Sequence, residues 1–584
     1  MFMNDGSARI PAKEKIILAI LLLVIVVTGI WYGNKKDGLI LDEVYTYGFA
    51  NSNYLAYLER GDEGYTQESF MLEYGAGNNV IDLVKNLWKD MGILIDAKFE
   101  LKATPIYQAY LDMKQAQIDN QKTSWLSGQY FADYLAVEEG TGFNYGSVYM
   151  NQRADVHPPL YYILLHTVSS FFEGIFSKWF AFGINLIILL ATLLVIYVMV
   201  RRSFGSGFLA LATVAVYGLS TGFFSSLIFF RMYALLTLWT VLLCYFHLYM
   251  KEKNWEFTRK RKFALIAIVV LGYYTQYYFI IYAFFMALVA SAILARRKNY
   301  KVLWCYIRQY LYAAVIGLTI WPFSISHIFF GYRGTRATET MKNIKGLLGN
   351  IHATLVSMNK SNFAESTVYL YVALIIGIVT FLVFTFLIKK DKEKRELAKY
   401  GILFLPVLLY VIAMAWVNDV HVERYVLNIF PLVSVYLVAL IWFWSKKLKE
   451  KASLCAAIVL AFIVVAGSPL LTSPNYPTDL ATIPEDVPEN VTCVYVMGDG
   501  NICEHTKDAP ALSQYDRVAI LHVRDLEFLK SYEYQDGDSV MIYLSWALDQ
   551  DAVIETIIDY MDIEHLSMQY SVIDTGYYLR RLYQ

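Results

Sequence analysis

Apolar runs of about 20 residues recur along the chain, each long enough to cross a hydrocarbon core about 30 Å thick, with short polar or basic connections between them. Eleven such spans are predicted: Ile16–Tyr32, Trp179–Val200, Phe208–Phe230, Met232–Met250, Phe263–Gln276, Tyr277–Ala295, Val302–Ser324, Val368–Ile388, Tyr400–Val417, Val426–Trp444 and Ala452–Leu470. Phe263–Ala295 is split because one helix of that length would be about 50 Å long, too long for a single crossing without strong tilt. Pro159–Phe172 is apolar but short, with His166 inside, and is predicted to be an interfacial helix or a shallow re-entrant piece. Two pieces of the first long polar segment, Asp42–Leu58 and a stretch from Pro105 to Asn120, have the apolar spacing of interfacial helices.

The charges fix the orientation. Arg201-Arg202, Lys251–Lys262, Arg296–Lys298, Lys389–Lys399 and Lys446–Lys451 occupy alternate connections, and all five fall on the side of the N-terminus. Basic loops stay in the cytoplasm, so the N-terminus is cytoplasmic and the C-terminus extracytoplasmic, in a multi-pass protein of the cell membrane. Counting Pro159–Phe172 as a span would export the first three basic loops. Residues 1–470 form the transmembrane domain, with external loops at 33–157 and 326–367. Pro474, Pro477, Pro484 and Pro488 mark a linker over 471–490. Residues 491–584 read as a small extracytoplasmic α/β domain: strand-like runs at Val491–Met497, Arg517–Val523, Asp538–Ser545 and Tyr577–Tyr583, and a helix over Asp549–Met561. The fold class is thus an all-α polytopic membrane protein carrying an α/β appendage.

Composition agrees. Of 584 residues, 57% are hydrophobic and 17% charged, well below the quarter usual in soluble proteins. The 47 tyrosines and 12 tryptophans suit interfacial belts. No basic arm or recognition module points to nucleic acid. Of the five cysteines, only Cys493 and Cys503 are placed to bridge, and the turn Gly498–Asn501 does not set them opposite each other in a simple hairpin.

Almost no ionisable residue lies at mid-depth in the spans, which argues against ion-coupled transport. The polar groups gather at the outer ends instead: Asp42, Glu43, Asp155, His157, Arg231, Gln276, His421, Glu423 and Arg424. Arg231 stands in the otherwise aromatic and apolar turn Phe229-Phe230-Arg231-Met232-Tyr233. A lone arginine near a helix end often snorkels to headgroups, and an acid pair often merely opens a helix. Acids and arginines on one rim also suit a lipid-linked sugar phosphate, with guanidinium groups on the phosphate and a carboxylate removing a proton from the incoming hydroxyl. Two adjacent residues on a helix diverge by about 100°, so Asp42 and Glu43 do not make the facing pair that glycoside hydrolysis needs.

Four local patterns carry a resemblance: Asp42-Glu43 after the first span, Asp155-Val156-His157-Pro158-Pro159-Leu160-Tyr161-Tyr162, Arg231-Met232-Tyr233, and Arg424-Tyr425. In this order they resemble the GT-C fold of polyprenyl-phosphate-sugar glycosyltransferases, which include the protein O-mannosyltransferases and the lipid A aminoarabinose transferases. The similarity covers roughly residues 10 to 450. It implies that Asp42 is the catalytic base, and that Glu43 positions it or a divalent cation. Asp155, His157, Tyr233, His421 and Tyr425 would line the substrate site, while Arg231 and Arg424 would bind the lipid phosphate. Glu43 and His157 are the candidate ligands if a divalent cation takes part. Gln276 departs from the pattern, since relatives often carry histidine there. The implied partners are a polyprenyl-phosphate-linked sugar, the bilayer and an extracytoplasmic acceptor; the rival readings are a lipid-linked-saccharide flippase and a non-catalytic envelope scaffold.

Overall fold

The computed structural model describes residues 10–36, 38–58, 124–330, 332–362, 375, 391–418, 420–447, 451–476, 491–498, 504–532, 539–545, 548–561, 571–573 and 577–583. The expected helix at Pro105–Asn120, the expected span Val368–Ile388 apart from residue 375, and Cys503 lie outside them. Two compact units emerge. One comprises Met1–Gly33, Ala181–Ser324 and Tyr332–Tyr476; the other comprises Asn34–Phe180, Ile325–Gly331 and Pro477–Gln584.

The first unit is helical. Among the described residues, five helices are long and apolar enough to cross a membrane: Ala12–Lys35, Lys178–Phe204, Tyr233–Glu252, Tyr278–Arg296 and Lys399–Val417. The expected span Phe208–Phe230 is instead two helices, Gly207–Gly218 and Thr221–Ile228, bent by 57°; counted together they bring the number to six. The break has a local cause. Ser220 opens the second helix as its N-cap, its hydroxyl oxygen accepting from the Phe223 N–H at 3.2 Å. The Thr221 N–H and hydroxyl then donate to the carbonyls of Gly467 and Thr472 rather than continuing the first helix. Arg259–Tyr273 and Tyr278–Arg296 are separate helices, parted at Tyr274–Tyr277. The expected span Val426–Trp444 begins later, with single 3-10 turns at Glu423–Tyr425 and Leu427–Ile429 before the helix Phe430–Lys447, where Pro431 sits in a first turn that needs no N–H from it.

The second unit combines short helices with a six-stranded sheet. Leu160–Ser169 is an apolar helix of 10 residues, about 15 Å long and too short to cross. The helix expected over Asp42–Leu58 runs only from Leu41 to Asn51. It stops because the Ser52 hydroxyl engages the carbonyls of Gly48, at 2.7 Å, and Leu55, competing with the helical ladder. The strands are β1 (Trp125–Leu126), β2 (Val491–Met497), β3 (Arg517–His522), β4 (Ser539–Ser545), β5 (Ser571–Ile573) and β6 (Tyr577–Tyr583), in the order β1-β3-β2-β4-β6-β5. β2, β3 and β4 are parallel, and β2 is buried along its whole length, as continuous apolar parallel strands are. Cys493 in β2 is a buried free thiol, its ionisation pushed well up by burial.

The sheet is not confined to the residues after 490. β1 comes from the segment after the first apolar helix and pairs antiparallel with β3, Trp125 opposite Ala519. Beside it, Gly128 opens the helix Gly128–Leu135 so close to the C-terminal segment that a Cβ there would lie 2.0 Å from the Tyr515 carbonyl oxygen. Gly128→Ala is therefore expected to destabilise the protein by about 1–3 kcal/mol, the usual cost of overpacking. A thermal melt in detergent reads this, and an unchanged midpoint would refute the close approach.

Candidate active site

In the second unit, everything turns on the helix Leu41–Asn51. Its ends are set by polar contacts and its length by packing: Val44, Tyr47 and Phe49 are buried, and Gly48 admits the ring of Tyr134, whose hydroxyl donates to the Ala56 carbonyl at 2.9 Å. The Tyr47 hydroxyl donates to the Ser177 carbonyl at 2.9 Å. Asn151 on the helix Tyr145–Ala154 donates to the Ser52 carbonyl at 2.9 Å, closing the far end.

The two adjacent acids at the start of this helix part company. Glu43 is fully buried, and its Oε2 accepts from the Lys36 ammonium at 3.0 Å and from the Ile40 N–H at 3.0 Å. The second contact is half of a capping box, the third helical residue reaching back to the N-cap N–H; Ile40 has no side-chain oxygen to supply the other half. Asp42 is only half-buried, as the turn of about 100° per residue requires when its neighbour faces inward. The Thr46 hydroxyl donates to the Asp42 carbonyl at 2.9 Å and tightens the same turn.

Asp155 and His157 form a second polar group. Asp155 is the C-cap of the helix Tyr145–Ala154, and its Oδ2 lies 2.7 Å from His157 Nδ1. That contact sets the tautomer, with Nδ1–H donating to the carboxylate and Nε2 left as an acceptor while the ring is neutral. His327, on the π-turn Ser326–Phe330, lies against the same stretch, its Nε2–H donating to the Arg153 carbonyl at 3.0 Å. Burial pushes the His327 pKa down to about 4; the Arg153 carbonyl and Asp155 oppose that shift, and His157 adds to it.

A divalent cation does not fit these donors well. Glu43 already faces an ammonium ion at 3.0 Å, and His157 commits one nitrogen to Asp155. Among the described residues, no three His, Cys, Asp or Glu side chains converge in a way that could hold a metal ion.

In the first unit, Arg231 lies in the turn between Thr221–Ile228 and Tyr233–Glu252, and is 4% exposed. Its N–H donates to the Phe229 carbonyl at 2.7 Å. The turn is clamped from a neighbouring helix: Asn185, wholly buried, donates through Nδ2 to the carbonyls of Leu227 at 3.2 Å and Phe229 at 2.9 Å. Carbonyls at a helix end lack partners within the helix, and Asn185 serves two of them. Phe229 stacks on Tyr233 at 5.3 Å and on Tyr476 at 4.0 Å.

Asn475 joins this turn to the next one. Its N–H donates to the Ser225 hydroxyl at 2.9 Å, and its side-chain amide donates to Glu423. Glu423 is buried; Arg424 beside it is half-buried, its guanidinium 5.3 Å from the centre of the Tyr425 ring. Tyr425 is buried against Tyr278, and its carbonyl accepts from the Tyr410 hydroxyl at 2.9 Å. Asn475 thus brings the Arg231 turn and the Glu423–Tyr425 turn together. His421 faces the helix Leu347–Asn362, its Nδ1 3.2 Å from the Thr354 hydroxyl. Gln276 is turned to its own backbone, accepting from the Tyr277 N–H at 2.7 Å.

Lys36, Asn185, His327 and Asn475 escape a reading of the sequence. Only Lys36 leaves a signal: with Lys35 it places two adjacent cations at the C-terminal end of the first apolar helix.

No family model matches the chain, nor does any curated protein. Among solved structures, the chain is similar to the archaeal oligosaccharyltransferase AglB from Archaeoglobus fulgidus, in complex with an inhibitory peptide and a dolichol-phosphate, at 12% identity and a TM-score of 0.38 over 74% of this chain and 66% of that one. It is also similar to ArnT from Cupriavidus metallidurans in the apo state, at 13% identity and a TM-score of 0.31 over 73% of this chain and 87% of that one. ArnT bound to undecaprenyl phosphate aligns over the same shares at 13% identity and a TM-score of 0.26. The chain spans just under two thirds of the length of the oligosaccharyltransferase. At such low identity and TM-score the likeness assigns no residue a role.

Proposed function

We propose that this chain is an integral membrane glycosyltransferase that moves a sugar from a polyprenyl-phosphate donor to an acceptor outside the cytoplasm. The observation that supports the reading is the split fate of the two acids after the first apolar helix: Glu43 is buried against Lys36, and Asp42 beside it is half-buried. Asp42 takes the proton from the acceptor hydroxyl as its oxygen attacks the anomeric carbon. The bond from that carbon to the phosphate oxygen breaks, and polyprenyl phosphate leaves with one more negative charge than it had as the diester. Arg231 and Arg424 offset that charge, which makes their interaction stronger in the transition state than in the ground state. A single displacement inverts the anomeric centre. Asp155, His157, Tyr233, His421 and Tyr425 are the proposed substrate-binding residues. The direct test is mass spectrometry of envelope glycans with and without the protein, where a sugar missing from one glycan class identifies both donor and acceptor.

The reading requires the Asp42 helix to be extracytoplasmic. In a background without the native cysteines, Glu139→Cys, in an exposed turn of the second unit, should react with an impermeant maleimide added to whole cells. Lys260→Cys, exposed in the basic connection 251–262, should react only after the membrane is breached. Labelling of Lys260→Cys in intact cells would reverse the orientation and with it the proposed reaction.

A further inference from the structure

We infer that Lys36 is a positioning residue: acting through Glu43, it fixes the first turn of the Asp42 helix and so aims the Asp42 carboxylate. The inference rests on the proposed role of Asp42 as base. Its own footing is the pair itself, an ammonium and a carboxylate 3.0 Å apart with neither side chain exposed to any extent. Burying two charges is costly and is recovered only when the geometry is fixed and the remaining hydrogen-bonding positions are filled. Here two further contacts hold the geometry. The oxygen that meets Lys36 also accepts from the Ile40 N–H, the last residue before the helix begins. The Lys36 carbonyl in turn accepts from the Lys178 ammonium, at the start of the helix Lys178–Phe204.

The chain between residues 36 and 43 is thereby closed into a loop pinned at both ends by one ion pair, with Asp42 its last member before the pin. Rotation of the first helical turn, or fraying of it, would have to pull an ion pair apart in a water-free environment. Glu43 has no direct part in the chemistry on this account. It transmits the constraint, and its adjacency to Asp42 sets the angle between the anchored and the reactive carboxylate.

The prediction is that Lys36→Met slows transfer by about 10²-fold through kcat, the scale of loss that misplacing a reactive group by about 1 Å produces, with the KM for donor near its original value. Lys36→Arg, which keeps a cation, should recover a substantial part of that loss. Hydrogen–deuterium exchange of the full-length protein in nanodiscs supplies a readout that does not depend on transfer: peptides covering residues 38–47 should exchange faster in Lys36→Met and elsewhere as before. Should Lys36→Met fail to fold, Lys36→Met/Glu43→Gln takes its place, since it leaves no unpaired buried charge. Unaltered exchange over 38–47 in the folded variant, or wild-type kcat, would overturn the inference. Asp42→Asn serves as the reference, with exchange unaltered and transfer abolished. If Asp42→Asn is active, the proposed reaction fails, whatever Lys36 does.

Discussion

Asp42→Asn is expected to lower transfer by about 10²–10⁴-fold, the range that loss of general-base help produces when proton transfer limits turnover. The change is nearly isosteric and leaves the surroundings in place. Glu43 keeps its bonds to Lys36 and Ile40, and the Thr46 hydroxyl bonds to the Asp42 backbone carbonyl, not its side chain. Losing the favourable interaction of a carboxylate with the helix N-terminus costs about 0.3–1 kcal/mol at a partly exposed site. Folding is therefore nearly intact while chemistry stops. Rates measured on purified protein in nanodiscs, beside a thermal melt, separate the two. A scaffold or a flippase would tolerate the substitution, so activity within a few-fold of wild type would end the assignment of Asp42 as base.

Arg231→Ala is expected to cost about 2–5 kcal/mol of transition-state stabilisation, seen in kcat/KM, the scale for removing a charge-assisted hydrogen bond from a water-excluded site. The structure sharpens the contrast with a membrane-anchoring arginine. A snorkelling side chain leaves the protein for the headgroups, whereas Arg231 is 4% exposed and its turn is held by Asn185 from one side and the Phe229–Tyr233–Tyr476 stack from another. Arg231→Lys should fall between wild type and alanine, since lysine keeps the charge and loses the planar fork. Binding of undecaprenyl phosphate to both variants in nanodiscs completes the test. Unchanged binding and unchanged kcat/KM for Arg231→Ala would leave the arginine a packing residue.

Periodicity and charge reveal those features of the chain that depend on local sequence. The strands at Val491–Met497 and Tyr577–Tyr583 and the helix ending at Met561 are visible because apolar runs bounded by turn residues define them without help. The bend after Gly218 is not visible. Phe208–Phe230 has the length and hydropathy of one span, and the break comes from Ser220 capping and from the distant carbonyl of Gly467, a partner that sequence cannot supply. The candidate site divides in the same way. Asp42, Asp155 and Arg231 announce themselves as polar residues in apolar company. Asn185 does not, because one asparagine within 27 apolar-rich residues looks like any tolerated polar substitution until the carbonyls it serves are known. Lys36 is intermediate: its charge is plain in the sequence, yet only the structure shows that Glu43 is its partner.

The pairing of Trp125 with Ala519 also has a consequence for the order in which the molecule is made. At synthesis rates of about 5–20 residues per second, about 20–80 s separate the emergence of the two strands, and every intervening helix is inserted in that interval. For all that time β1 has no strand to join. The segment bearing the Asp42 helix thus completes its own fold only when the C-terminal strands arrive, and pairings this far apart in sequence close late. A nascent or truncated chain would carry the Arg231 and Arg424 turns while the unit holding Asp42 still lacked its C-terminal strands.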